Sequence, residues 1–511
     1  MKNYMLKRQV NLYSFNFKNL FIVVFILFNF YLYFGSILVL EDFKIYFSLL
    51  FILSVFNVLI NFFFKTSFFN IYFNFYMWLG NFFFFTIHTI HFDNNYNFGI
   101  GNFNFENLTH LKEFYLLLIT INLSITLGTI FSNFLIKFNY SKNKYRFHKS
   151  LEKFKSYILL SIFLIIFTIY ILNKNLIHFD YYFFTKDSFN PIIASFLKWF
   201  FLFGFTSILC VLINLEEKKN FIYKLFIISS IQEFLFYNSI LSRGCIFNSL
   251  AILIGLAIKK SKDFQSLRIF FPFFLLILGL FIFNFYVLIH ERGGSNYENL
   301  KKYRDIEIKN NQSFLLFNEL KIKNLAIKVS TKKEEEAKNK QTFDMADFKL
   351  KINQVFFSFK NRIFGADSLM VIIGTEDKSL KLFKNALEEK YNPGVKSFFD
   401  QIRQGSDKSD ISSNLTLPSL PGFLYYSGSK LFVFFILFLI IVSFNLLEKL
   451  NVLLNSNIIL ASLISQLIAY RLWHFGYAPL NSYKYFTAII LSIVLAFLFK
   501  FILLKMKIIN K

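Results

Sequence analysis

Apolar residues along this chain come in runs of about twenty, each closed by a short polar link. An α-helix rises 1.5 Å per residue, so ~20 apolar residues match a hydrocarbon core ~30 Å thick. Twelve spans are predicted, near Leu20 to Leu40, Tyr46 to Phe64, Asn70 to Ile90, Glu113 to Leu135, Tyr157 to Leu172, Ile192 to Asn214, Phe221 to Leu241, Cys245 to Ile258, Ile269 to Ile289, Leu431 to Leu447, Ile458 to Tyr470 and Tyr485 to Leu504. The eighth is short, and Ser462, Ser465 and Gln466 interrupt the eleventh. The fold class is therefore all-α, a polytopic helical membrane protein with about twelve transmembrane helices and one large, partly helical extracytoplasmic loop. Three regions follow: an N-terminal membrane region over 1–290, a loop domain over 291–429 and a C-terminal membrane region over 430–511.

The loop is the one long polar break in the pattern. Lys332 to Lys340 is a charged stretch, read as a solvated helix or a link. Phe348, Ile352, Val355, Phe356, Phe359 and Ile363 then recur at helical spacing and predict a helix lying along a surface. Asp377 is placed to cap the next helix, with Leu380, Phe383 and Leu387 as its narrow apolar stripe. Asn392, Pro393 and Gly394 predict a turn before a short helix near Val395 to Ile402.

Composition agrees with the spans and removes other classes. Of the 511 residues 55% are hydrophobic, too many for the surface of one soluble domain. The 78 phenylalanines fall in spans and loops alike, so Phe marks no site. Two cysteines, Cys210 and Cys245, support neither a disulfide framework nor a thiolate metal site. The net charge of +25 lies in short loops and not on a basic face with aromatic platforms, so nucleic acid is no partner. Lys and Arg instead crowd alternate links, as at Lys137 to Lys155, Lys218 and Lys219, and Lys259 to Arg268. By the positive-inside rule both termini are predicted cytoplasmic and the loop outside.

Candidate chemistry gathers at the outer links. Arg243, within Ser242-Arg243-Gly244, stands beside the start of the eighth span, where a guanidinium and free helix amides suit a phosphate or pyrophosphate. An arginine anchoring the outer interface is the alternative. His290, Glu291, Arg292, Gly293 and Gly294 close the ninth span, offering a base and a second guanidinium at a chain turn. Around Gly365, Arg362 and Asp367 sit in the expected amphipathic helix, where a glycine costs ~1 kcal/mol and so points to close approach of something. Pro418, Pro421, Gly422, Tyr425, Tyr426 and Gly428 shape a re-entry loop whose tyrosines are either sugar-stacking rings or part of an interfacial belt. Glu233, deep in the seventh span, needs a partner, and Lys198 or Arg243 is the expected one. His88 and His91 are one turn apart, but no acidic or Cys ligand accompanies them at metal-binding spacing. No phosphate-binding loop, nucleophile elbow or dinucleotide fingerprint occurs.

At Ser242-Arg243-Gly244, Arg292, Asn361-Arg362 and Pro421 to Gly428, the chain resembles the O-antigen polymerases and oligosaccharide repeat-unit polymerases, and the related O-antigen ligases. The resemblance implies a bacterial inner-membrane protein of lipopolysaccharide biosynthesis with a periplasmic loop. It implies a metal-independent membrane glycosyltransferase without cofactors, whose partners are an undecaprenyl-pyrophosphate-linked oligosaccharide, the lipid bilayer and a chain-length regulator protein. On that resemblance Arg243, Arg292 and Arg362 hold the pyrophosphate leaving group, His290, Glu291 or Asp367 is the base, and Tyr425 and Tyr426 bind glycan. Other classes remain. A lipid-linked oligosaccharide flippase or other transporter shares the spans but needs no large outer loop, and an assembly protein would use that loop for binding. A glycosyltransferase fed by a polyprenyl-phosphate sugar carries an acidic motif in a large first outer loop, whereas Glu41 and Asp42 sit in a very short link.

Overall fold

Apolar runs of this length have one stable solution in lipid, because each backbone amide must find its partner within its own segment. The computed structural model describes residues 17–39, 43–63, 66–91, 101–136, 146–148, 153–177, 191–240, 245–259, 267–293, 365–389, 398–403, 417–476 and 479–510, and it is helical almost throughout. The rods are α1 (Phe17–Ile37), α2 (Lys44–Phe63), α3 (Phe68–Trp78 and Phe84–His91 about a π-helical turn at Leu79–Phe83) and α4 (Leu108–Leu135). Next come α5 (Lys155–Leu172, ending in a π-helical turn at Asn173–Ile177) and α6 (Pro191–Trp199 and Phe205–Leu215 about a π-helical turn at Phe200–Gly204). Then follow α7 (Lys219–Ser239), α8 (Cys245–Lys259) and α9 (Leu267–Gly293). Four short helices belong to the insertion: α10 (Ala366–Ile373), α11 (Leu380–Leu387), α12 (Phe398–Arg403) and α13 (Ser419–Tyr425). The chain closes with α14 (Lys430–Asn455), α15 (Ile458–Trp473) and α16 (Pro479–Lys505).

Seven helices are long and apolar enough to cross a membrane, and shorter apolar stretches fall in α8, α9 and α15. With α3 and α7 they make an all-α polytopic membrane protein. Strand structure among the described residues is one antiparallel pair, β1 (Arg146–Phe147) with β2 (Ile509–Asn510), Arg146 opposite Asn510. The chain divides into two compact units, Met1–Phe281 with Asn361–Lys511, and Ile282–Lys360. Of the second, only the last part of α9 is described.

Helix α15 is the axis of the larger unit. All of its residues except Tyr470 and Arg471 are buried, between α8, α3, α6, α14 and α16. Ser462, Ser465 and Gln466 do not interrupt it, as the sequence suggested; they join it to its neighbours. The Tyr72 and Ser462 hydroxyls lie 2.6 Å apart, Ser462 Oγ donates to Ala251 O (2.6 Å), Ser465 Oγ to Glu448 (2.8 Å) and Gln466 Nε2 to Tyr76 Oη (3.3 Å). A second polar seam ties α2, α3, α4 and α14. Asn57 Nδ2 donates to Asn122 Oδ1 (3.0 Å), Thr126 Oγ1 to Asn57 Oδ1 (2.6 Å), and Asn445 Nδ2 to Asn70 Oδ1 (2.9 Å) and Ser132 Oγ (3.2 Å). Bonds between helices in this way substitute for the hydrophobic drive that lipid does not provide.

Candidate functional site at the insertion face

Unequal rod lengths create the site. Helices α8 and α15 have 15 and 16 residues, ~22 to 24 Å, whereas α4 and α14 have 28 and 26, ~42 and ~39 Å. The short rods leave space at the insertion face, and the insertion's own helices fill it. Helix α13 packs on α14 and α15, and α10 packs on α13, α4 and the π-helical turn of α3. Two glycines allow the fit. Gly365 lies so close to Gly80 that a Cβ on it would sit 2.3 Å from the Gly80 carbonyl. Gly476 has φ +117°, and a Cβ there would meet Pro418 Cγ at 2.1 Å. The described insertion residues, 365–389, 398–403 and 417–429, are thus built into the membrane domain as a cap.

The expected helix around Gly365 is corrected in one respect: Gly365 precedes α10 and does not lie within a helix. Close approach as the reason for a glycine there holds, since Gly80 is the neighbour. Ser379, not Asp377, caps α11 and accepts from Leu382 N (3.2 Å). Of its predicted stripe only Phe383 packs inward, against Phe423 and Phe432; Leu380 and Leu387 are exposed, and Ala386 is buried. The short helix after the proline turn begins at Phe398. The Lys332 to Lys340 run, the Phe348 to Ile363 stripe, Arg362 and the Asn392 to Gly394 turn lie outside the described residues.

A latch holds the cap to α4. Tyr425 Oη donates to Glu113, Lys378 Nζ lies 3.5 Å from the same carboxylate, and the Lys378 ammonium sits 5.9 Å from the Tyr425 ring centre. Lys378 Nζ also donates to Ile373 O (2.7 Å) and Thr375 O (2.9 Å), closing the end of α10. Burial, then the neighbouring Glu113, push the Tyr425 hydroxyl pKa above its ordinary value. Tyr426 packs edge-on against Phe398 and Phe423, with ring centres 5.5 and 5.6 Å away. Tyr425 and Tyr426 are only 2% and 1% exposed. A ring that stacks a sugar must present a face, and these two present theirs to protein.

Asp367 lies in the first turn of α10, where its Oδ1 accepts from Gly365 N (3.3 Å). Burial raises its pKa, against the pull of the Arg403 guanidinium and of nearby amides. Arg403 is itself buried. Asp367 is therefore a half-buried member of the cap itself, beside Gly365. On α9, the helix continues through His290, Glu291 and Arg292 to Gly293, so the chain does not turn before Gly293. Their side chains, and Arg243, lie outside the described residues.

Where α15 stops, the start of α8 and two insertion blocks meet. Phe247, in the first turn of α8, packs against Tyr470 with tilted rings 4.9 Å apart. Phe423 of the Pro421 block meets Phe475 at 5.0 Å, and Ser368 Oγ donates to Leu417 O (2.9 Å). Here also are Arg471 and His474, both half-buried, which sequence reasoning passed over. The available signal was a cation ending an otherwise apolar span.

Glu233 is fully buried; Lys198 is not its partner, and Arg243 lies outside the described residues. Thr206 Oγ1 donates to it, Asn248 Nδ2 donates to its other oxygen (2.9 Å), and Lys198 stands exposed two turns along α6 from Thr206. Asn248 Nδ2 and Tyr237 Oη also donate to Leu202 O, each at 3.0 Å, at the π-helical turn of α6. Such a turn leaves a carbonyl open to outside donors. His88 is buried, and among the described residues no three His, Cys, Asp or Glu side chains group as metal ligands.

No family model, curated protein or solved structure matches this chain. Function is therefore argued from the site alone.

Proposed function

We propose that this protein elongates a surface polysaccharide by glycan transfer between undecaprenyl-pyrophosphate-linked units at its insertion face. The observation that carries this reading is the meeting of the start of α8 with the Asp367 and Pro421 blocks around the end of α15, where helices of the insertion pack on the membrane domain. In the transfer, an acceptor hydroxyl oxygen attacks the anomeric carbon, the bond to pyrophosphate breaks, and its electron pair leaves with the pyrophosphate. The hydroxyl proton passes to a base, for which His290 and Glu291 at the end of α9 are the candidates. Arg243, with Arg292 and Arg362, supplies fixed positive charge for the departing pyrophosphate. Asp367 and the enclosed Tyr425 and Tyr426 position the cap.

Deletion of the protein followed by gel analysis of surface glycans tests the reading. Loss of the long-chain ladder with single repeats retained is expected. Accumulated lipid-linked polymer would identify a ligase, and an unchanged ladder would end the proposal. Glu233, buried with no cation beside it among the described residues, favours a second reading as a transporter, since ionisable groups inside membranes mark substrate or proton routes. Export of a lipid-linked glycan without a new covalent bond would identify that activity.

A further inference from the structure

Tyr470 and Arg471 are the two residues of α15 that are not buried. A cation in the last turn of a helix ordinarily serves its final carbonyls, but His474 does so here. His474 N donates to Tyr470 O (3.0 Å), with Nδ1 3.2 Å from the same oxygen. Arg471 turns away. Its Nε donates to Ser482 Oγ on α16 (3.1 Å), and its guanidinium carbon lies 5.5 Å from the Tyr485 ring centre. Among the described residues no carboxylate pairs with it, and neither terminal nitrogen meets an acceptor.

The depth of this group identifies its ligand. From Ser482, α16 descends 18 residues, ~27 Å, to Lys500, whose ammonium donates to Leu454 O (2.8 Å) at the far end of α14. Arg471 therefore lies at the opposite edge of a ~30 Å hydrocarbon core, the level of lipid phosphates. An arginine that only anchored the rod would keep all of its N–H groups in the headgroup layer. This one has its stem fixed by Ser482 and Tyr485, leaving the two terminal nitrogens as a fork that matches a phosphate.

We propose that Arg471, held by Ser482 and Tyr485, binds the phosphate group of a membrane lipid, and that this lipid is an isoprenoid diphosphate. The isoprenoid part rests on the glycan-transfer reading; the phosphate site does not.

The test uses the full chain in phosphatidylcholine nanodiscs and native mass spectrometry with farnesyl diphosphate, inorganic pyrophosphate or phosphatidylglycerol. Farnesyl diphosphate is expected to bind, with Arg471→Gln weakening it at least about tenfold, the size of a lost charged hydrogen bond. Arg471→Lys should recover part of it, and Ser482→Ala, which keeps the charge but frees the stem, should weaken it several-fold. Equal binding by Arg471→Gln overturns the site. So does loss of binding with loss of folded protein, if Ser482→Ala then binds like the parent. Preference for phosphatidylglycerol keeps a phosphate site and overturns the isoprenoid assignment; binding of inorganic pyrophosphate alone overturns the lipid. Arg471-dependent binding in a protein whose deletion leaves the glycan ladder intact retains the site and removes the glycan-transfer reading. A lost ladder with Arg471-independent binding does the reverse.

Discussion

Two buried carboxylates occupy opposite halves of the membrane domain, and their surroundings differ. Glu448 on α14 accepts from the Phe68 and Phe69 amides (3.0 and 2.8 Å) and from Ser465. Its charge faces the start of α3, where free amides and the helix dipole are favourable. Glu233 sits in the middle of α7 and receives side-chain donors alone, from Thr206 and Asn248. The first is bound by backbone that every folded copy must satisfy; the second is held by groups that could release it. A buried carboxylate is therefore read by the identity of its donors, and this contrast separates a structural half, α2, α3, α4 and α14, from a functional candidate in α6, α7 and α8.

The contrast breaks most readily at Glu448. Glu448→Ala strands two amides and a hydroxyl and should cost about 3 to 5 kcal/mol, read as detergent-solution unfolding. A loss under about 1 kcal/mol would show that the α3 cap is not structural. In the same half, Gly365→Ala drives a methyl into Gly80 and should cost about 2 to 3 kcal/mol, with faster proteolysis of the insertion. Unaltered proteolysis would mean the cap is not seated there.

Glu233→Gln sharpens the other side. It keeps the size and one acceptor, so stability should change by about 1 kcal/mol or less, while glycan output falls more than about tenfold. Full output would place Glu233 with Glu448 as structural.

The smallest effect is expected at the latch, where Tyr425→Phe should cost about 1 kcal/mol near pH 8. The folded-state pKa of Tyr425 is raised above its unfolded value, so its contribution is complete below that value, about 10, and declines as pH rises from there towards the folded-state pKa. Parent and Tyr425→Phe unfolding curves should therefore converge above pH 10. A gap that widens with pH would contradict the latch.

The polar residues inside the spans show the limit of reading the chain alone. Ser462, Ser465 and Gln466 look like an interruption because a linear pattern counts them against a span. Their bonds to Ala251 and Tyr76 reach helices 211 and 390 residues away, and that to Glu448 reaches the preceding helix. Asn57 and Asn122 are likewise 65 residues apart. Nothing in the sequence distinguishes Arg471 from other cations near span ends; Ser482 and Tyr485, which fix it, belong to the next helix. Gly365 was legible as a close approach, but not its partner Gly80.

Rod number, rod type and the place of the insertion were determined by the sequence itself, because apolar length and backbone satisfaction are local requirements that each segment meets alone. Tertiary structure decided which rods fall short, that the insertion's described helices fill the space above them, and which carboxylate is capped by amides and which by side chains. Those outcomes depend on contacts between separate helices, up to 380 residues apart, whose pairing no local pattern encodes.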